Sequence, residues 1–129
     1  MVEVTGLYTA LCALLVLYLA WRVVSIRRRE KIGLGDGGNK DLNLAIRAHA
    51  NAVEYLPLSL LLILVAELNG LPALWLHLAG LALLACRVGH AWGFVAARGA
   101  YHPGRFFGIA GNWLLWIALA LANGLLALG

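Results

Sequence analysis

Arg47, Asn51 and Glu54 are spaced four and three residues apart, and Tyr55 follows Asn51 by four. On a helix these intervals return to one face, so a guanidinium, an amide, a carboxylate and a phenol form a single polar stripe. They open a segment that continues as the apolar run 58–66. A charged side chain at the centre of a membrane helix costs about 2.5–3.5 kcal/mol on insertion scales, so these groups need partners there. A second stripe is carried by Arg87, His90, Phe94 and Arg98, at intervals of three, four and four. Arg105 follows Pro103, and Arg27 and Arg28 close the first apolar stretch. Cationic groups from four segments are thus expected at one depth. Two readings follow. Arg47, Glu54 and Arg87 can form an ion network that only fixes the helices, since a buried pair that loses one member is strongly destabilising. The alternative rests on excess: Glu54 cannot neutralise Arg47, Arg87, Arg105 and the Arg27–Arg28 pair. The surplus positive charge then implies an anionic guest or a lipid phosphate. His49 falls off the stripe and is expected to face a neighbouring subunit.

The elements that position these groups are membrane spans. The chain has 129 residues, 63% hydrophobic and 12% charged, against about a quarter charged in a soluble domain. A spanning helix takes about 20 apolar residues, and four spans, at about 7–25, 42–68, 73–97 and 106–128, fill the sequence as one domain, 1–129. All are expected to be helical, because lipid leaves an open strand's backbone unsatisfied. The fold class is therefore all-α, an integral membrane four-helix bundle. The net charge of +4 is spread mostly over span flanks, the signature of membrane topology rather than of nucleic-acid binding. The basic connections 27–41 and 98–105 are expected in the cytoplasm, with both termini on the outer side. Glu3 stands before the first apolar run with no basic residue, so that run is expected to remain as an anchor.

Other features carry little chemistry. Cys12 and Cys86 have no CxxC neighbour and are expected as buried small hydrophobes. GLGDGG at 33–38 lacks the preceding strand of a dinucleotide fingerprint and is expected to be a flexible loop. No two histidines show ligand spacing with a carboxylate on the same face, so no metal is expected. His77 and His102 are expected at an interface or in a loop. Tryptophans 21, 75, 92, 113 and 116 are expected to anchor and pack.

The run RAHANAVEYLP, 47–57, resembles the second-span motif of the MAPEG family, the membrane-associated proteins of eicosanoid and glutathione metabolism. Arg47, His49, Asn51, Glu54, Tyr55 and Pro57 match that motif at every position. CRVGHAWGF, 86–94, is similar to the family's third span, although Phe94 stands where several glutathione-using members carry tyrosine. The wording is most similar to a small bacterial inner-membrane branch. The resemblance implies a left-handed four-helix bundle assembled as a homotrimer, with glutathione as co-substrate between subunits near the cytoplasmic face. It implies glutathione contacts from Arg47, Asn51, Glu54, Tyr55, His90 and Arg27 or Arg28, with His49 contributed by the adjacent protomer; Arg87, part of the surplus charge, is expected to join them. It implies Arg105 as the catalytic residue, by its place after a proline at the start of the fourth span. Arginines suit glutathione's two carboxylates, Glu54 its ammonium, and a guanidinium beside the thiol favours the nucleophilic thiolate. A lipophilic electrophile or hydroperoxide would arrive laterally from the membrane lipids. The expected activity is glutathione transfer, with peroxidase activity as a variant. The alternative is a non-catalytic lipid-binding or scaffold protein of the same fold, which one branch of the family represents.

Overall fold

A computed structural model describes all residues, 1–129. It contains four helices and no strand: α1 Glu3–Glu30, α2 Lys40–Leu68, α3 Ala73–Ala96 and α4 Pro103–Leu128. Each is long and apolar enough to cross a membrane, and each satisfies its backbone internally, as a lipid environment requires. α1 continues past Ser25 through Arg27, Arg28 and Arg29, so its basic residues lie in the last helical turn, where cations complement the helix dipole.

The helix ends show how the chain starts and stops its spans. Asn39 caps α2 by accepting the Leu42 N–H at 2.9 Å. His102 caps α4 by accepting the Gly104 N–H at 3.0 Å, with Pro103 in the first turn. α1 has no cap of its own. Its first amides are instead satisfied by the far end of α2: Glu67 accepts the Val4 N–H at 2.9 Å and the Thr5 N–H at 2.7 Å.

The 33–38 loop is closed by its own bonds rather than left loose. Arg27 donates to the carbonyls of Gly35 at 2.8 Å and Ile32 at 3.3 Å. Asp36 accepts the Gly38 N–H at 2.9 Å and the Asn43 amide at 2.6 Å. Those two bonds hold the Asp36 carboxyl below its ordinary value, the Gly38 bond contributing most. Gly35, Gly37 and Gly38 supply the positive φ angles that this turn needs.

α2 and α3 form the centre of the bundle, with α1 and α4 on opposite flanks and not in contact with each other. The closest pair is α3 with α4, joined along a glycine seam. Gly89 on α3 faces Gly104 on α4, while Gly93 faces His102 and Arg105 and Gly108 faces Cys86 and His90. A Cβ at Gly108 would lie 2.6 Å from the Cys86 carbonyl oxygen, and one at Gly93 2.8 Å from the Arg105 nitrogen. Without a hydrophobic drive between helices in lipid, such close backbone approach is what makes association favourable. The remaining core is small, built around Cys12, Ile63, Leu83 and Leu119, and most large apolar side chains point outward. Both cysteines are free; Cys12 is buried and Cys86 half-buried.

Candidate functional site

Arg87 lies in the middle of α3 and is 1% exposed. No carboxylate neutralises it. Its Nη1 donates to Asn51 Oδ1 on α2 at 2.9 Å, and its Nη2 to the Gly108 carbonyl on α4 at 2.6 Å. The guanidinium also stands 4.6 Å from the centre of the Tyr55 ring, a cation–π contact. Its Nε remains a buried donor without an acceptor. The glycine seam makes this possible: only a glycine at 108 brings the α4 backbone close enough to offer its carbonyl across α3.

Behind Arg87 lies a polar seam between α2 and α4. Ser59 is fully buried, donates to the Tyr55 carbonyl at 2.8 Å, and accepts from Trp116 Nε1 at 2.7 Å and Asn112 Nδ2 at 3.2 Å. Trp113 Nε1 donates to the Tyr55 hydroxyl at 3.1 Å, and the Tyr55 and Trp116 rings stack at 5.1 Å. Tyr55 is therefore held from three sides. Trp113 and Trp116 are hydrogen-bonded struts rather than simple anchors, which corrects the sequence expectation for these two. Ser59 and Asn112 were not singled out from the sequence. Asn112, an amide inside an apolar span, was the signal available for finding them.

Toward the basic end, His90 is buried and its ring lies parallel to Phe94, with centroids 6.0 Å apart. Arg105 stands 4.9 Å over the same Phe94 ring. Its Nη1 donates to the carbonyls of Gly99 at 2.6 Å and Ala100 at 3.4 Å. Arg105 thus bridges the start of α4 to the turn that ends α3, where Arg98 and Gly99 take positive φ.

The expected stripe on α2 divides in two. Asn51 and Tyr55 turn inward to Arg87, whereas Arg47 and Glu54 are exposed on the outer surface of the helix. The only ion pairs in the chain are Arg29–Glu30 and Arg98–Asp41. The Arg47–Glu54–Arg87 ion network therefore does not form within the chain: an amide and a backbone carbonyl take the place of the carboxylate. His49 is half-buried and Arg28 exposed. Arg27 is committed to the loop carbonyls, so of the Arg27–Arg28 pair, Arg28 is the one free of backbone bonds. The structure brings together Asn51, Tyr55 and Arg87 directly, and His90 with Arg105 through Phe94. Arg47, His49, Glu54 and Arg28 line no common contact within one chain.

Four membrane-length helices around a buried, carboxylate-free arginine define a polytopic membrane protein with an intramembrane polar site. The MAPEG family model matches residues 5–125. The chain belongs to the MAPEG family. It is similar to the inner membrane protein YecN of Escherichia coli strain K12, with 38% identity over 120 residues covering 93% of this chain and 89% of that protein. The YecN protein of Escherichia coli O6:H1 matches to the same extent.

Proposed function

We propose that this protein is an inner-membrane glutathione transferase that acts on lipophilic electrophiles, with glutathione held at the α2 face and completed by a neighbouring copy in a homotrimer. The observation that carries this reading is the pairing of Arg47 and Glu54, opposite charges exposed on α2 with no ion-pair partner in the chain. They stand seven residues apart, about 10 Å along a helix, close to the reach of an extended tripeptide. One end offers a partner for a carboxylate and the other for an ammonium, and glutathione carries both. Asn51 lies between them along α2 and Tyr55 follows Glu54; both turn inward and are fixed by Arg87, so the helix that carries the two charges is held in place. His49 and Arg28 complete the pocket across the subunit boundary.

In the reaction, the glutathione thiol loses its proton to water and Arg105 stabilises the thiolate. The sulfur attacks an electrophilic carbon, a thioether bond forms and the leaving group departs with the bonding electron pair. The test is conjugation of glutathione to a chlorodinitrobenzene by the purified protein in detergent, with glutathione binding followed by calorimetry. Turnover and binding support the reading; absence of both overturns it. Native mass spectrometry should find three copies, and a clean monomer argues against a pocket shared between subunits.

A second reading is favoured by the bonds of Arg105 to Gly99 and Ala100. An arginine so engaged holds a turn, and a chain that binds its guest without chemistry, as a lipid-binding or scaffold protein does, needs nothing more from it. Glutathione binding without turnover selects that reading.

A further inference from the structure

We propose that the groove between α1 and α3 is a binding site for one anionic phospholipid, with the headgroup phosphate at Arg22, Arg29 and Ser25 and an acyl chain along the apolar continuation. None of these residues belongs to the glutathione wall, and the inference does not depend on that reading.

Two clefts lie end to end on this side of the bundle. The first, about 300 Å³, sits at the basic end and is lined by Arg22, Ser25, Arg29 and Arg98, with Trp21 and Asp41 beside them. The second, about 280 Å³, is almost wholly apolar and is lined by Leu15, Leu19, Ala91 and Trp92 among others. Arg22 and Val95 line both, so the polar cleft opens into the apolar one. The stacked rings of Tyr18 and Trp21, 6.2 Å apart, form a continuous wall from one to the other. A polar end at a membrane interface leading into an apolar channel is the shape of a lipid rather than of a soluble anion.

The charge fits a phosphate. Arg98 is paired with Asp41 at 2.9 Å, and Arg29 with Glu30 at 2.6 Å. Arg22, half-buried inside the groove, has no acidic partner at all. The cleft therefore keeps one net positive charge after both acids are counted, and that charge is on the residue common to both clefts. Arginine forks match phosphate oxygens, the serine hydroxyl adds a donor, and basic pockets between membrane helices recognise anionic headgroups. Trp21 sits where indole rings favour the headgroup level.

The experiment is native mass spectrometry of the full chain in a maltoside detergent, titrated with dimyristoylphosphatidylglycerol or dimyristoylphosphatidylcholine. Wild type should retain the glycerol lipid about tenfold more tightly than the choline lipid. Arg22→Gln with Arg29→Gln should abolish that preference. Trp92→Ala should weaken both lipids alike, because it removes a wall of the acyl channel and no charge. Thermal melting in lipid-free detergent checks that each variant is folded. Equal retention of the two lipids by wild type overturns the proposal. So does undiminished preference in the double variant, or displacement of the glycerol lipid by millimolar inorganic phosphate, which would mark a site for a free anion.

Discussion

Arg87 Nη1 and Asn51 Oδ1 are joined at 2.9 Å, and through this bond an amide on α2 stands where a carboxylate would ordinarily face a buried arginine. Within the bundle the guanidinium is answered only by dipoles and a ring face. Removing the amide leaves a buried charged donor unpaired, at a cost of about 1–3 kcal/mol or more. Asn51→Ala should therefore lower the melting temperature in detergent. Replacing a buried charge by an apolar side chain of similar volume is often neutral, so Arg87→Met added to Asn51→Ala should recover most of the loss. A double variant less stable than Asn51→Ala would show that the arginine is held by more than these contacts.

Gly108 is needed for the same bond in a different way. A Cβ there meets the Cys86 carbonyl at 2.6 Å and His90 at 2.7 Å, whereas a Cβ at Gly124 meets nothing within 4 Å. Gly108→Ala should cost about 1–3 kcal/mol through overpacking. Gly124→Ala should be neutral or mildly stabilising, as exposed helical glycines are when replaced. Comparison of the two melting curves separates seam packing from helix propensity.

Arg105 and Arg47 should separate in kinetics. Arg105→Ala should lower kcat by about 10²-fold, the effect of losing one transition-state charge partner, with a smaller change in glutathione affinity. Arg47→Ala should weaken glutathione binding by about tenfold or more, the cost of a lost charged hydrogen bond, with a smaller change in kcat. Equal losses of both kinds in both variants would remove the role assignment.

Asp36 gives a pH-dependent reading of the 33–38 loop. Its folded pKa lies below the unfolded value of about 3.9, with the Gly38 bond the main cause and the Asn43 bond the next. The sign follows from linkage: these bonds contribute stability above the unfolded pKa, and the contribution is lost as pH falls through the lower folded value. The Gly38 amide resonance should titrate with a midpoint below about 3.9. A midpoint at or above that value contradicts the bonded loop.

Glu67→Ala should fray the start of α1. Loss of a side-chain cap costs about 0.5–2 kcal/mol, and here one carboxylate serves two amides. Hydrogen exchange at Val4 and Thr5 should accelerate while exchange in the middle of α1 stays unchanged.

The four helices were legible because lipid imposes one rule, an apolar length with its backbone satisfied internally. The residues of α2 were legible for a related reason: helical spacing alone places Asn51 and Tyr55 four residues apart on one face. What spacing could not tell is which partner each would find. Arg87 suggested a search for an acid, but its second acceptor is the Gly108 carbonyl, 21 residues away in sequence. Arg47 and Glu54 share the stripe's periodicity with Asn51, yet they turn away from α3, since a stripe one helix wide reaches two sides at once. Arg27 and Arg28 are adjacent in sequence and alike in type. Only the 33–38 loop, folding back over one of them, makes them different.

Glu67 is the penultimate residue of α2, and the amides it receives lie 63 and 62 residues earlier. The opening turn of α1 is therefore translated first and finished late. Until the ribosome has delivered the whole second helix, the carboxylate that accepts from those amides does not exist. In the finished bundle that one carboxylate ties the start of the first span to the end of the second. The first span is thus the one helix whose opening turn is completed by a neighbour and not by its own sequence.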